Sequence, residues 1–325
     1  MTLHQDEKLF SDAIRATSDY LGIMPVYVEK DYWITHILQQ LSRSQYADNV
    51  VWKGGTSLSK GYGLIDRFSS DIDIAVLAEG MNGNQIKTLI SKVNKEMAAG
   101  MPEIDVAGET SKGSRYRKTY HFYDTTLSPT SKGMSLLGNY VIIEINSFAN
   151  PYPYVRRTIN SFIGQFLIAN NLGHLSDKYD LKPFEVNILD MRRTLCEKAA
   201  SLIRYSFVQP PVEGLRKKIR HFYDLYFLLN NEECKEYLQG DFVTHLQSLV
   251  DQDQAVFDEP QGWARFNILS SPLLSSFEQL WPSLSVVYEN ELSQLAYRPI
   301  PASSVVKDTM NNFLRFLNDS LEKKY

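Results

Sequence analysis

Apolar residues recur along this chain with two different periods, and each change of period marks an element. Over residues 5–21, Leu9, Phe10, Ala13, Ile14 and Leu21 fall on one side of a helix. Pro25 suits a first helical turn, and Val28, Tyr32, Ile34, Ile37, Leu38 and Leu41 continue at helical spacing. A short apolar run, Val50-Val51-Trp52, then meets the turn Gly54-Gly55-Thr56-Ser57, after which a helix is predicted. The period falls to two at Asp71-Ile72-Asp73-Ile74, so a strand carries both acids on one face and both isoleucines on the other. Helical spacing returns with Ile86, Leu89, Ile90, Val93 and Met97 and stops at Gly100 and Pro102. Tyr116, Thr119, Tyr120, Phe122 and Tyr123 give residues 114–124 the character of a strand. A polar loop over 128–133 and a strand over Tyr140–Asn146 follow.

Pro151 and Pro153 make a natural boundary. Before it the pattern reads as a mixed-sheet α/β domain, residues 1–155. After it, residues 156–325 read as a mainly helical domain. Helices are predicted over 160–171 and 191–207, with a short strand at Phe184–Leu189 between them. Leu215, Ile219, Phe222, Tyr223 and Tyr226 mark another helix. Phe313, Phe316 and Leu317 fit a terminal amphipathic one. Trp263 and Trp281 read as packing residues. No internal repeat or low-complexity tract interrupts the chain.

Composition narrows the setting. The chain has 325 residues, and its 43% hydrophobic content supports a real core. No apolar run is long enough to cross a bilayer, and the first residues lack the basic and apolar regions of a signal peptide. Cys196 and Cys234 make no disulfide framework, which points to a reducing cytoplasm and to two small core residues. A net charge of −4 argues against a protein that coats nucleic acid non-specifically, and leaves room for a local basic surface.

The chemistry gathers between Val50 and Val76. Carboxylates on alternate residues of a strand stand roughly 6–7 Å apart and repel one another. A hard divalent cation turns that repulsion into binding. Mg2+ favours oxygen ligands, keeps several waters, and joins one or two carboxylates to a substrate's phosphates. Gly54 and Gly55 allow positive φ and a close approach of backbone to ligand. Thr56 and Ser57 are placed to cap the next helix, whose N-terminus offers N–H groups to an anion. A phosphate cradle followed by a carboxylate pair is the equipment for handling a nucleoside triphosphate. The cradle is not a Walker A loop, because Lys60-Gly61 reverses the order that loop requires. The plainer arrangement is a βα-turn followed by a strand with exposed acids.

At these residues the chain resembles the DNA polymerase β-like nucleotidyltransferase superfamily. The string from Lys53 to Lys60, together with Arg67 and the pair Asp71 and Asp73, is similar to the AbiEii/AbiGii toxin branch, which includes MenT-type toxins. Fifteen residues lie between Gly55 and Asp71, a longer spacer than many superfamily members use. The Glu29-Lys30-Asp31 string also resembles the family, and reads as packing and local ion pairing. The superfamily often carries a third acid on the strand after the pair, and the resemblance nominates Glu144 as a further metal ligand. Glu144 reads equally well as a solvated edge-strand acid. The segment Arg193–Arg204 resembles the family's lysine-bearing helix, which makes Lys198 a point charge on the triphosphate. The alternative for Lys198 is a surface ion pair with Glu197 or Asp190. The string Arg220–Tyr226 resembles the family's last motif and brings in Asp224. Many relatives show Lys-Asp where this chain has Arg220-His221. Asp224 would orient Lys198 or the arginines, or touch the metal or the acceptor hydroxyl. An i, i+4 pair with Arg220 is the bland reading.

The resemblance implies a magnesium-dependent nucleotidyltransferase. Asp71, Asp73, Lys198 and Asp224 would be catalytic, and the helical half would lend Lys198 and Asp224 to the cleft. Gly54, Gly55, Thr56, Ser57, Lys60, Arg67 and Lys198 would bind the NTP. The acceptor it implies is the 3′ end of tRNA, whose modification blocks translation. The toxin would be partnered with an antitoxin encoded nearby and active in phage defence. The runs Arg156-Arg157, Arg192-Arg193 and Arg216–Arg220 lean toward an RNA acceptor. A protein side chain or a small molecule such as an aminoglycoside is the rival acceptor. A non-catalytic nucleotide-binding module is the third reading, and the intact pair Asp71/Asp73 argues against it.

Overall fold

The computed structural model describes residues 1–69, 71–128, 133 and 137–323. Most of the polar loop predicted over 128–133, and Ser70 before the acidic strand, lie outside the described residues. The chain divides into two compact units. The first is Met1–Gly63 with Phe68–Leu189, and the second is Leu64–Arg67 with Asp190–Tyr325.

The first unit is built on one mixed sheet. Its strands are β1 (Val50–Lys53), β2 (Asp71–Val76), β3 (Glu103–Ile104), β4 (Ser111–Lys112), β5 (Tyr116–Phe122), β6 (Tyr140–Asn146), β7 (Tyr154–Ile159) and β8 (Phe184–Leu189). Their order is β3-β5-β6-β2-β1-β8-β7, with β4 paired to β5. β2 runs antiparallel to β1 and parallel to β6. The alternation of β2 decides what each face does. Ile72 and Ile74 join Ile143 and Ile145 in the core, each burial contributing about 2 kcal/mol. The helix Gly83–Met97 packs on this face, where Asn94 Oδ1 accepts from Thr119 Oγ1 of β5 at 2.7 Å. A capping box of Asn82 and Gln85 starts that helix. The helix Pro25–Arg43 packs beside it, opened by its proline as the sequence suggests. The other face of β2 carries Asp71 and Asp73.

The sheet does not stop at residue 155, where the two prolines suggest a boundary. β7 and β8 extend it, and the first unit runs to Leu189. β8 pairs parallel with β1 through Trp52 and Ile188, and β7 pairs antiparallel with β8 along its whole length. The residues of β7 explain why the chain pattern hides it. Arg156, Arg157 and Thr158 are exposed on an edge strand, so only Ile159 is buried, and no apolar alternation survives to be read.

The second unit is helical: Met191–Ser206, Pro211–Arg216, Ile219–Asn230, Glu232–Gln239, Phe242–Val256, Pro272–Leu295 and Ser303–Glu322. Trp263 and Trp281 are buried in it, as are Cys196 and Cys234, both free thiols. Leu64–Arg67 belongs to this unit because the backbone bonds there. Arg67 forms a β-bridge to Ala296, Tyr297 N–H donates to Asp66 O at 3.0 Å, and Asp66 N–H donates to the Tyr223 hydroxyl at 3.2 Å.

Candidate active site

The carboxylates of the first unit sit in a row of charges that the register imposes. Lys53 of β1 stands opposite Asp73, Asp73 lies beside Glu144 of β6, and Glu144 lies opposite Lys118 of β5. Residues paired across a ladder share a face, so two cations bracket two acids on the face that also bears Asp71. Burial raises the Glu144 carboxyl, the Asp71 charge raises it further, and Lys118 opposes both. Sequence alone nominates Glu144 but passes over Lys118. Its signal is the alternation Tyr116, Lys118, Tyr120 within the predicted strand.

The glycine turn is pressed against this row. Gly54 has φ 81°, the left-handed region that favours glycine. A Cβ built on it would stand 2.1 Å from Asp73 Oδ2. Gly55 and Thr56 complete a single helical turn, and Ser57–Gly61 continue it as a turn of π-helix. The hydroxyls of Thr56 and Ser57 do not cap a helix, as their spacing suggests. Thr56 Oγ1 donates to Asp71 O at 3.0 Å and accepts from Trp52 Nε1 at 3.3 Å; Ser57 Oγ donates to Gly54 O at 2.8 Å. Both residues are buried. They brace the turn against β2 and hold the acidic strand at a fixed distance from Gly54.

Lys60, expected at the phosphates, is engaged elsewhere. Its ammonium lies 2.5 Å from Asp31 Oδ1 and donates to Asn160 O at 2.8 Å, with both side chains almost wholly buried. Asp31 is one of three consecutive buried charges that tie the helix Pro25–Arg43 to three different segments. Glu29 accepts from Thr125 Oγ1 at 2.6 Å and Thr126 N–H at 2.8 Å. Lys30 donates to the carbonyls of Leu137, Gly138 and Tyr140. Burial pushes the Lys30 ammonium down to about 7, against the pull of Asp71 and Glu29. These residues act as tethers to distant segments, where the string by itself suggests packing and local ion pairing. Lys60→Met is therefore expected to cost about 3 kcal/mol of stability through the unpaired Asp31. NTP binding by the folded variant is expected to be unchanged. Urea unfolding and nucleotide titration on the same preparation check both halves.

In the second unit Asp224 gathers two cations. Arg67 forks onto it with two 2.7 Å bonds from Nε and Nη2, and Lys198 Nζ lies 2.6 Å from Oδ2. Lys198 thus pairs with Asp224, a buried partner on another helix. Asp190 caps the Lys198 helix and binds Arg192. Burial by itself would raise the Asp224 carboxyl, but Arg67 and Lys198 outweigh it and hold the group well below the usual carboxylate range. His221 lies nearby with its Nδ1 buried and unbonded, and burial together with the Lys198 charge keeps the imidazole neutral.

A family model described as the nucleotidyl transferase AbiEii toxin of type IV toxin–antitoxin systems matches residues 36–298. The chain belongs to the AbiEii family. It is a nucleotidyltransferase, and its family implies an NTP substrate and an antitoxin. The fold is similar to that of MenT4, a nucleotidyltransferase toxin from Mycobacterium tuberculosis H37Rv, with a TM-score of 0.55 over 89% of this chain and 83% of that one, at 16% identity. No curated protein matches by sequence.

Nucleotidyltransferases generally use divalent metals, and the AbiEii toxin's residues fit such an ion. Asp71 and Asp73 supply hard carboxylate oxygens from one strand face, and the charge that Asp71 places on Glu144 is what a cation would relieve. Among the described residues no group of three or more His, Cys, Asp or Glu side chains forms a metal cluster. Glu144 is adjacent in register but held by Lys118 at 3.6 Å. In the described residues no helix is long and apolar enough to cross a membrane.

Proposed function

We propose that this toxin uses Mg2+ to transfer a nucleotide from an NTP to an RNA acceptor, the 3′ end of tRNA, and so blocks translation. The observation that carries the proposal is the close fit of Gly54 against Asp73, which couples a backbone turn able to approach phosphate to a carboxylate able to hold a cation. The acceptor hydroxyl oxygen forms a bond to the α-phosphorus, the bond from that phosphorus to the bridging β-phosphate oxygen breaks, and pyrophosphate leaves. The hydroxyl proton passes to solvent or to a carboxylate. When bound, the cation supplies Lewis-acid stabilisation of the charge that develops on the phosphates.

The chain's own residues bind and orient. The turn Gly54–Ser57 seats the β- and γ-phosphates, and Asp71 and Asp73 hold the cation, with Glu144 in reserve beside them. Lys198, oriented by Asp224, is assigned the triphosphate's negative charge. The pairing of Arg67 with Asp224 leaves Arg67 the same orienting work, in place of a direct phosphate contact. An RNA acceptor is favoured by the exposed arginines of β7, where Arg157 lies 4.6 Å from the centre of the Tyr62 ring. The setting we infer is cytoplasmic, in a toxin–antitoxin pair active in phage defence. The test incubates the purified protein with each α-labelled NTP, Mg2+ and total tRNA. Label in RNA, at the 3′ end, is expected. Label on protein alone, or none while NTP still binds, overturns the RNA assignment.

A further inference from the structure

Glu144 stands in register beside Asp73, yet it is not gathered with Asp71 and Asp73 into a three-acid cluster. β5 gives the reason. Lys118 lies opposite Glu144 across the ladder, with its ammonium 3.6 Å from Glu144 Oε1. Tyr116, two residues along the same face, donates its hydroxyl to that carboxylate. Lys118 is also drawn the other way, to Glu109 at 2.9 Å, in the exposed turn between β3 and β4. The Tyr120 hydroxyl donates to the same Glu109 oxygen at 3.1 Å. One lysine is therefore shared between an exposed acid and a half-buried one.

We propose that Lys118 is a positioning residue that sets how far Glu144 takes part in the cation site of β2, with Glu109 as its counterweight. The proposal rests on the assignment of Asp71 and Asp73 to a divalent cation. While Lys118 neutralises Glu144, the acidic face presents the charge of two carboxylates. While Glu109 holds Lys118, Glu144 lends the cation a third. The two partners of Lys118 thus act with opposite signs on one affinity. A general loosening of the fold would move both variants the same way.

Mn2+ is the probe, and the free ion is followed by electron paramagnetic resonance as the full chain is titrated. Lys118→Met is expected to tighten Mn2+ binding about tenfold, and Glu109→Gln to weaken it about threefold. Lys118→Arg is expected to stay near the parent value. In a Glu144→Gln background Lys118→Met should tighten nothing, because its effect runs through that carboxylate. Unchanged or weaker binding in Lys118→Met overturns the proposal, as does tightening that persists without Glu144 or a Glu109→Gln shift of the same sign. Failure of the parent chain to bind Mn2+, or binding that survives loss of Asp71 and Asp73, overturns the cation assignment itself and the proposal with it.

Discussion

Asp73→Asn is expected to lower nucleotidyl transfer by at least about 10³-fold, and Gly54→Ala to reproduce about 10²-fold of that loss. The first substitution removes a charge where the cation and the developing phosphate charge need it. The second acts on the same carboxylate from the other side. The atoms a Cβ would meet are Asp73 Oδ2 at 2.1 Å, Cγ at 2.9 Å and Cβ at 3.2 Å, all in one side chain. That side chain can swing, whereas the turn is pinned by Thr56 and Ser57. The strain therefore falls on the orientation of Asp73. The alanine also pays for φ 81° with about 1 kcal/mol of stability. Asp73→Asn should cost little stability beside its loss of rate, because the attraction it gives up to Lys53 across the ladder is offset by relief of repulsion from Asp71 and Glu144. The two losses should not add: once Asp73 has lost its charge, displacing it removes little more. Rates of label transfer for both singles and the double, each with a thermal unfolding curve, check this. A double variant slower by the product of the two losses would show that Gly54 serves the reaction independently of Asp73.

Much of this frame could be read in the chain. The alternation Asp71-Ile72-Asp73-Ile74 announces a strand with one acidic face, because a core strand that spends two positions on acids has few other reasons to alternate. The helices at Lys198 and Asp224 follow from spacing, whereas which of its open partners Asp224 takes is visible only in the fold, where it bonds Lys198 and Arg67. The misreadings concern cations. A lysine or arginine near a glycine turn looks like a phosphate ligand until its partner is known. The partner of Lys60 lies 29 residues before it, and that of Arg67 lies 157 residues after it. Pairing at such separations is a property of the folded chain, and local pattern does not encode it. The hydroxyls of Thr56 and Ser57 mislead for a related reason, since a capping residue and a turn brace have the same composition. The break near residue 155 fails because prolines mark a kink in the chain and say nothing of whether the sheet resumes beyond it.

The cluster around Asp224 carries the largest expected effect on stability. Arg67, Lys198 and Asp224 are 4%, 6% and 0% exposed at their side chains. Asp224→Ala would leave two buried cations without their anion, and a loss of about 5 kcal/mol or more is expected in urea unfolding. Asp224→Asn keeps the shape and some hydrogen bonds but not the charge, and should lose about 3–5 kcal/mol. The pH dependence has a definite sign. The folded carboxyl titrates well below its unfolded value of about 3.9, so its contribution is fully present above that value. The contribution fades as pH falls from about 4 toward the lower native value. The stability difference between the parent and Asp224→Asn should therefore be flat above about pH 5 and narrow below pH 4. One further variant separates structural from chemical work. A triple replacement, Arg67→Met with Lys198→Met and Asp224→Leu, removes every charge at once, and well-packed apolar residues in place of a buried ionic cluster often restore stability. If the cluster exists only to hold the helices, that variant folds and still transfers nucleotide. If Lys198 meets the triphosphate, as we propose, it folds and does not.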